Sequence, residues 1–430
     1  MVSRRICVGA VAGFALLLAT VAGGLGCGVS PQTDTDGIFV GKGELPPGGF
    51  AAQAILLQPV GRSTPLFSDE TPVAWRYSWP GSGFRARFRG QKLWATLRES
   101  RDPLGGSIYH VLEIDGRIIK KIAVPRDGKA HRWLLVDNDT VAEHTVRLTR
   151  ANEGVYSESR LSAVQTDGDL LAASAARYHV EVIGDSISAG YGIEGQMPCH
   201  FTLATENHSK TYAALAVRQL HQQLVAQVDG LADNAFDQQL CRAGVSLSTV
   251  AWSGKGVRYN ASGEGPTLPT LYPRAIPTSS RTASSVLGPV LWNRADVVVI
   301  NLGTNDYNFL KGSRSAEVID PFIEAYLGLL RMVRAYHFNP QILCTLAPAR
   351  SRYAPFIKAA IERFNNEPVE WLSDEVRRRA RFIEIHAEPS GGEGCDGHPS
   401  AATHLAMAEA LRPELSRSLD PDRPLAVCWP

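Results

Sequence analysis

Five short apolar runs, most of them rich in branched side chains, recur through the second half of the chain at residues 179–183, 246–252, 296–301, 341–345 and 382–385. Long helical patterns separate them. The clearest covers residues 321–336, where Asp320 stands as N-cap, proline takes the first helical position, and Phe322, Ile323, Tyr326, Leu330 and Val333 recur at helical spacing. A chain that alternates strand and helix in this way is restricted to a parallel sheet with helices on both faces, built from right-handed crossovers. Such sheets bind ligands beyond the carboxyl ends of their strands, so chemistry is expected at the residues that follow each run.

The preceding stretch has a different texture. Between residues 54 and 165, Phe84, Ala86 and Phe88 alternate with Arg85, Arg87 and Arg89, and Leu93, Ala95 and Leu97 continue the period of two. Asp115-Gly116 and Asp127-Gly128 interrupt such runs with residue pairs that supply the positive φ of tight hairpins, so successive antiparallel strands are expected. The reading is an all-β sandwich over residues 53–172, a Gly-, Asp- and Ala-rich link around 167–176, and an α/β domain over 176–420. At 430 residues the chain is long enough for two such cores. Trp75, Tyr77, Trp79 and Trp94 fall in the sandwich, where large aromatics serve more often as core than as a sugar platform.

Four stretches carry the chemistry. At 182–190 the run Val-Ile-Gly-Asp-Ser-Ile-Ser-Ala-Gly ends a strand at a glycine that permits a tight turn and leaves Ser186 among small residues, which suits a nucleophile for acyl transfer. Read alone, Asp185-Ser186 is also a helix cap. Ser253-Gly-Lys-Gly256 follows the second strand and Gly303-Thr-Asn-Asp306 the third, while Asp396-Gly-His-Pro399 follows the fifth and opens a final helix over 400–411. All four therefore converge on the carboxyl end of the sheet. Acyl transfer needs a base for the serine and donors for the oxyanion, and His398 is the base in this reading. Read alone, Asn305 is turn chemistry and His398 a solvated helix start. His404 lies about a turn and a half further along the same helix and faces elsewhere.

These stretches resemble the four sequence blocks of the GDSL/SGNH hydrolases. Ala251-Trp-Ser-Gly-Lys-Gly256, Thr205-Glu-Asn207 with Thr211-Tyr212, and Gly394-Cys-Asp-Gly-His-Pro399 are more similar still to carbohydrate esterase family 2, in which such a domain follows an N-terminal, jelly-roll-like β-sandwich. The resemblance implies a three-layer, flavodoxin-like hydrolase domain. It also implies an oxyanion hole made by the backbone N–H groups of Ser186 and Gly254 with the side-chain amide of Asn305, and catalysis without metal or other cofactor. Most SGNH hydrolases carry an aspartate three residues before the histidine; here that place is Cys395, and Asp396 stands two before His398. Asp396 is thus the candidate third member of a triad, whereas the family also implies the alternative of a Ser–His dyad whose imidazole is oriented by a main-chain carbonyl. In an extended loop Asp396 reaches the ring; if the loop turns at Gly397, a carbonyl is better placed.

At the N-terminus, Arg4 and Arg5, an apolar run from Ile6 to Leu18 and small residues up to Gly26-Cys27 read as an export signal over residues 1–26. Cys27 is a candidate lipid anchor to a bacterial membrane, and residues 27–52 read as a flexible tether. An uncleaved membrane span is the other reading of that run. Residues 421–430 are a C-terminal tail. With 44 Lys+Arg against 43 Asp+Glu, no field of one sign draws the protein to nucleic acid. Five of the seven cysteines follow Cys27, and an exported protein meets oxidising surroundings. No C-x-x-C pair or paired-His spacing calls for structural zinc. Cys344, near the end of the fourth strand, and Cys395, in the catalytic loop, share one end of the sheet, so their pairing is expected, with Cys199–Cys241 a second pair and Cys428 free. The alternative is five thiols, with Cys344 a small core hydrophobe.

The function implied by the resemblance is an exported serine esterase that removes O-acetyl groups from a xylan- or mannan-type polysaccharide or oligosaccharide through an acyl-enzyme. Two other readings stay open. One is a general short-chain esterase, lipase or thioesterase, because fold and catalytic set do not fix the acyl group. The other is a surface protein that binds carbohydrate through its sandwich without catalysis.

Overall fold

The computed structural model of the chain describes residues 53–68, 71–228, 236–278, 294–337, 340–368, 380–385 and 392–420. The segments read as signal, tether and tail, with Cys27 and Cys428, lie outside them. Nine strands come first: β1 (Gln58–Val60), β2 (Ser63–Ser68), β3 (Thr71–Tyr77), β4 (Gly83–Glu99), β5 (Ser107–Ile114), β6 (Arg117–Pro125), β7 (Ala130–Arg150), β8 (Ser159–Thr166) and β9 (Asp169–Leu171). They form one antiparallel sheet in the order β2-β3-β8-β4-β7-β5-β6, with β1 and β9 also paired to β4. The long strand β4 pairs with β9 through Arg87–Arg89 and with β8 from Leu93 onward, and its register to β7 shifts between Gly90 and Lys92. Such a bulge bends a sheet. The sheet encloses Phe84, Phe88, Leu97, Leu112, Val146, Leu148 and Leu161 in one core.

The alternation in β4 holds on the core side, where Phe84, Ala86, Phe88, Leu93, Ala95 and Leu97 have no exposed surface. Its other face is not simply solvated: Arg85 and Arg87 are buried too. Arg85 donates to the Ser174 carbonyl, and Arg87 pairs with Glu143 at 2.6 Å and lies 3.9 Å from Asp237. Asp115 and Gly116 take positive φ (47° and 76°) and join the paired neighbours β5 and β6, the expected hairpin. Asp127-Gly128 turns the chain from β6 to β7, but β5 lies between those strands, so no hairpin forms there. Tyr77 belongs to this core, while Trp79 is buried in the core of the following sheet with its indole N–H on the Arg274 carbonyl at 3.0 Å. Trp75 packs half-buried, and Arg132 covers Trp94 at 4.6 Å.

The second sheet comprises β10 (Tyr178–Gly184), β11 (Val245–Ala251), β12 (Val297–Asn301), β13 (Gln341–Thr345) and β14 (Ala380–Phe382), in the order β11-β10-β12-β13-β14 with every pair parallel. This is the doubly wound order 2-1-3-4-5. The last strand starts earlier than its sequence run and ends at Phe382; Ile383 and Ile385 are buried beyond it instead. Around the sheet lie α1 (Ser186–Ala189), α2 (Tyr212–Val225), α3 (Phe236–Ala243), α4 (Leu268–Leu271), α5 (Thr304–Phe309), α6 (Ala316–His337), α7 (Ala354–Asn365) and α8 (Ala401–Ser418). One face packs on α6 and α7, the other on α2 and α8, giving three layers. Helix α6 starts a turn before the expected proline cap: the Val318 and Ile319 N–H groups bond to the Ser315 carbonyl, and Pro321 is accommodated inside. Burial of Ile319 draws that extra turn in.

The two sheets meet at a buried charge. Glu181, in the middle of β10, receives both Arg62 Nη2 contacts at 3.2 Å, the Tyr272 hydroxyl at 2.6 Å and His337 Nε2 at 3.1 Å. His337 Nδ1 accepts the Ala295 N–H, so its Nε2 carries the proton. Burial alone pushes the Glu181 carboxyl up, but Arg62 and His337 outweigh it and hold the group well below the usual carboxylate range. Within the second region a covalent tie joins Cys199 to Cys395, 196 residues apart. The expected Cys344–Cys395 pair does not form: the alternation of β13 puts Cys344 with Ile342 in the α6/α7 core, where it is a buried free thiol. Cys199–Cys241 does not form either, because Cys199 is taken; Cys241 is disulfide-bonded elsewhere.

Two stability measurements test this account. Arg62→Met leaves Glu181 buried without its guanidinium and is expected to cost about 3–5 kcal/mol in denaturant unfolding, with part of the loss recovered in Arg62→Met/Glu181→Gln. Because the Glu181 carboxyl is depressed, the wild-type advantage is present above the ordinary glutamate value of roughly 4.3 and fades as pH falls below it. Replacing Cys199 and Cys395 by serine opens a long loop and is expected to lower Tm, by an amount corresponding to roughly 3–5 kcal/mol.

Candidate active site

Strand β10 is buried throughout and ends at Gly184, where a Cβ would lie 2.1 Å from the Ser188 hydroxyl; the chain turns into α1 there only because glycine has none. Asp185 caps α1, its Oδ1 accepting the Ile187 N–H at 3.1 Å. Ser186 opens the helix, and its Oγ lies 2.9 Å from His398 Nε2. The imidazole is held against the Tyr191 ring, centroids 4.2 Å apart. Burial lowers the His398 pKa; the Cys395 and Asp396 carbonyls act in the opposite sense by favouring the protonated ring. Its Nδ1 is buried and has no hydrogen-bond partner, side chain or main chain.

The other two stretches are tied to this pair by buried hydrogen bonds. Asn305, near the start of α5, donates its amide to the Lys255 carbonyl at 2.9 Å and lies 3.4 Å from Asp185 Oδ2, so one side chain bridges the first and second stretches. Asp306, fully buried, accepts the N–H groups of Val257, Arg258 and Tyr259 at 2.9, 2.8 and 2.7 Å and fixes the loop after β11. Within that loop Gly254 takes φ 76°. Burial pushes the Asp185 carboxyl up to about 7, helped by the charges of Asp306 and Glu153.

Of the residues singled out in the sequence, Ser186, His398 and Asn305 are thus linked by contacts at the carboxyl ends of β10 and β12, with Gly254 in the adjoining loop. Asp396 is not part of that set. Its carboxylate accepts the Tyr191 hydroxyl at 3.0 Å and the Phe201 N–H at 2.9 Å and meets His200 Nδ1 at 2.9 Å. The Phe201 N–H, then His200, hold it below the usual carboxylate range. The physical reason is backbone: Asp396 and Gly397 both take left-handed φ (54° and 71°), so the loop turns and the side chain swings away from the imidazole. His404 is buried with Nδ1 accepting the Tyr212 N–H at 3.0 Å, which caps α2. Among the described residues, no group of three or more His, Cys, Asp or Glu could hold a metal ion.

Several residues of the site escaped the sequence reading. Glu153, in the loop between β7 and β8, reaches the parallel sheet and accepts both the N–H and the hydroxyl of Ser253. Glu206 lies beside it, accepting Asn152 Nδ2 at 3.0 Å and the Glu153 N–H at 3.2 Å. Nothing in a lone Asn-Glu-Gly stretch marks Glu153, whereas Glu206 sits in the Thr-Glu-Asn stretch already noted. Tyr191, Phe201 and Tyr156 stack in series beside His398, with centroid separations of 4.1 Å and 5.7 Å.

Comparison with known proteins agrees with this architecture. A family model for the N-terminal region of carbohydrate esterase 2 matches residues 65–174, and one for GDSL-like lipase/acylhydrolase matches residues 180–411. The chain is 28% identical to a cellulase/esterase, CelE, of Acetivibrio thermocellus over 82% of its own length but only 38% of that protein's. It is 27% identical to an acetylxylan esterase/glucomannan deacetylase of Cellvibrio japonicus, over 79% of this chain and 85% of the relative. The structure of a family two carbohydrate esterase from Clostridium thermocellum in complex with cellohexaose superposes with a TM-score of 0.67 at 25% identity, covering 84% of this chain and 98% of that one. With one model matching more than half of its residues and the other the strands before them, the chain belongs to the GDSL-like lipase/acylhydrolase family and carries a carbohydrate esterase 2 N-terminal region.

Proposed function

We infer that this chain is an exported serine esterase that removes O-acetyl groups from a polysaccharide or oligosaccharide. In this reading residues 53–172 are a jelly-roll-like sandwich, residues 176–420 the hydrolase domain, and Cys27 a lipid anchor after a cleaved signal. The observation that carries the reading is the 2.9 Å contact between Ser186 Oγ and His398 Nε2 at the carboxyl end of a parallel sheet. Ser186 attacks the acetyl carbonyl while His398 takes its proton. The backbone N–H groups of Ser186 and Gly254 meet the oxyanion. The Asn305 amide has two hydrogens; one stays on the Lys255 carbonyl, and the other exchanges its long 3.4 Å contact with Asp185 Oδ2 for the oxyanion and becomes the third donor. His398 then protonates the sugar oxygen as it leaves, and water repeats the sequence on the acetyl-serine. With Asp396 engaged elsewhere, the ring is placed by the Tyr191 face packed on it, and the Cys395 and Asp396 carbonyls favour its charged form, as in a dyad. The name of the Cellvibrio relative supports acetylated xylan or glucomannan as the substrate class.

Acetate release from acetylated xylan and glucomannan, beside hydrolysis of acetyl, butyryl and octanoyl esters, tests the assignment; turnover of long esters without acetate release would mark a general esterase. Ser186→Ala and His398→Ala are each expected to lose at least about a thousandfold in kcat while staying folded, and Asn305→Ala about a hundredfold. A folded, active Ser186→Ala protein would sink the reading. The acid limb of kcat/KM is expected below the ordinary histidine value of about 6.5, because burial depresses the His398 pKa.

Asp396→Ala separates dyad from triad. Its carboxylate ties Tyr191 and Phe201 rather than the imidazole, so a loss of roughly ten- to a hundredfold is expected, against about ten-thousandfold for a true triad aspartate. Collapse of kcat to the His398→Ala level would restore Asp396 to the triad.

A further inference from the structure

We propose that Glu153, supplied by the N-terminal antiparallel region, is the positioning residue for the oxyanion loop, and that it works as one half of a proton-sharing pair with Glu206. The proposal rests on the esterase reading, since it concerns the loop assigned there to Gly254. That loop has little packing of its own at the critical residue: a Cβ built on Gly254 would find nothing nearer than the Ala261 Cβ at 4.0 Å. The Gly254 carbonyl accepts the Ala261 N–H at 2.9 Å, but its N–H lies in the peptide plane shared with Ser253, so its direction is set chiefly by the residues on either side. Lys255 is held through its carbonyl by Asn305. Ser253 is held through its N–H and its hydroxyl by Glu153, a residue 100 positions away.

Glu153 and Glu206 are both without exposed surface. Two adjacent carboxylates cannot both ionise in such a place, so the pair keeps one proton. The surrounding donors decide where it resides. Glu153 receives two from Ser253 and is the carboxylate. Glu206 accepts from Asn152 and the Glu153 N–H through Oε2 alone, and its buried Oε1 receives no donor, as fits an O–H turned toward Glu153. Burial, then the charge of Glu153, pushes the Glu206 carboxyl well above the usual range; the Glu153 carboxyl is also raised by burial but opposed by the Ser253 donors.

Raising the pH through the Glu206 ionisation puts a second negative charge against Glu153 and disturbs its hold on Ser253. The charged and titratable groups facing the pair are Arg150, Lys121, Tyr156, Tyr191 and Asp185. Arg150 acts on Glu153 by its charge, and the Lys121 ammonium lies 3.4 Å from the Glu206 carbonyl. Burial pushes both tyrosines up, Tyr191 to about 12, and the Asp185 carboxyl up to about 7. Lys255, in the same loop, has its ammonium pKa lowered by burial, so the decline in kcat on raising the pH that reports the pair is the one that Glu206→Gln removes.

Kinetics of full-length variants on 4-nitrophenyl acetate test this. Glu153→Gln turns one acceptor into a donor facing Ser253, and kcat per folded molecule is expected to fall at least about tenfold, with KM within about twofold. In Glu206→Gln the amide supplies its hydrogen at every pH, so the alkaline decline of the wild type is expected to disappear from the pH profile. Wild-type kcat in folded Glu153→Gln overturns the positioning role. If that variant fails to fold, a Glu206→Gln profile that superposes on the wild type still overturns the shared proton. Activity surviving in Ser186→Ala would instead remove the esterase reading, a distinct outcome.

Discussion

An ionised carboxylate cannot lie inside an interior strand of a doubly wound sheet without compensation, and Glu181 lies in such a strand with 2% of its surface exposed. The adjacent strand offers it one hydroxyl, Ser248, at 3.2 Å. The rest comes from outside the sheet: Arg62 from the turn between β1 and β2, Tyr272 from beyond α4 and His337 from the end of α6. The antiparallel region is therefore a condition for the parallel sheet as it stands. Close approach follows from that docking. At Gly81, with φ 74°, a Cβ would lie 2.3 Å from the His208 ring, and the His208 N–H bonds to the Ala151 carbonyl at 3.0 Å.

The same docking delivers Glu153 to Ser253, so the loop beside the proposed nucleophile is fixed from two directions. Asp306 holds its later part with three successive backbone N–H groups, and Asn305 and Glu153 hold the residues on either side of Gly254. Preorganised donors are effective because they need not reorient as charge develops. A loop anchored only by its own strand would not have that property.

Most of this scaffold was legible in the sequence, and the failures have physical causes. The parallel strands were found because each is an apolar run, and four of the five agree within a residue or so at either end. The fifth, an edge strand of three residues, carries too little pairing to impose a pattern. The disulfide was misread because proximity to one end of the sheet was considered without strand parity. In β13, Ile342 and Cys344 face one core and Leu343 the other, so Cys344 points into the α6/α7 layer rather than at the loop. Ser186, Asn305 and His398 were visible because they sit where strands end. Glu153 was not, since its meaning depends on a contact across 100 residues that no local pattern encodes.

In the proposed dyad, other restraints stand where an orienting carboxylate would. A triad aspartate holds the imidazole by one hydrogen bond, and its loss frees the ring. Here the ring-bearing loop is restrained as main chain: Cys395 is bonded to Cys199, the Cys395 N–H meets the Gly192 carbonyl at 3.0 Å, and the Asp396 N–H meets the Cys199 carbonyl at 3.0 Å. Tyr191 covers the imidazole face, and Asp396 fixes Tyr191 through its hydroxyl. The carboxylate thus acts on the proposed base at one remove, through the aromatic that packs on it. A loop so restrained keeps its carbonyls near Nδ1 without a charged partner. It also leaves the imidazole less basic than a carboxylate-paired one, because burial is then opposed only by the loop carbonyls and, last, by the charge of Asp396, which makes no bond to the ring.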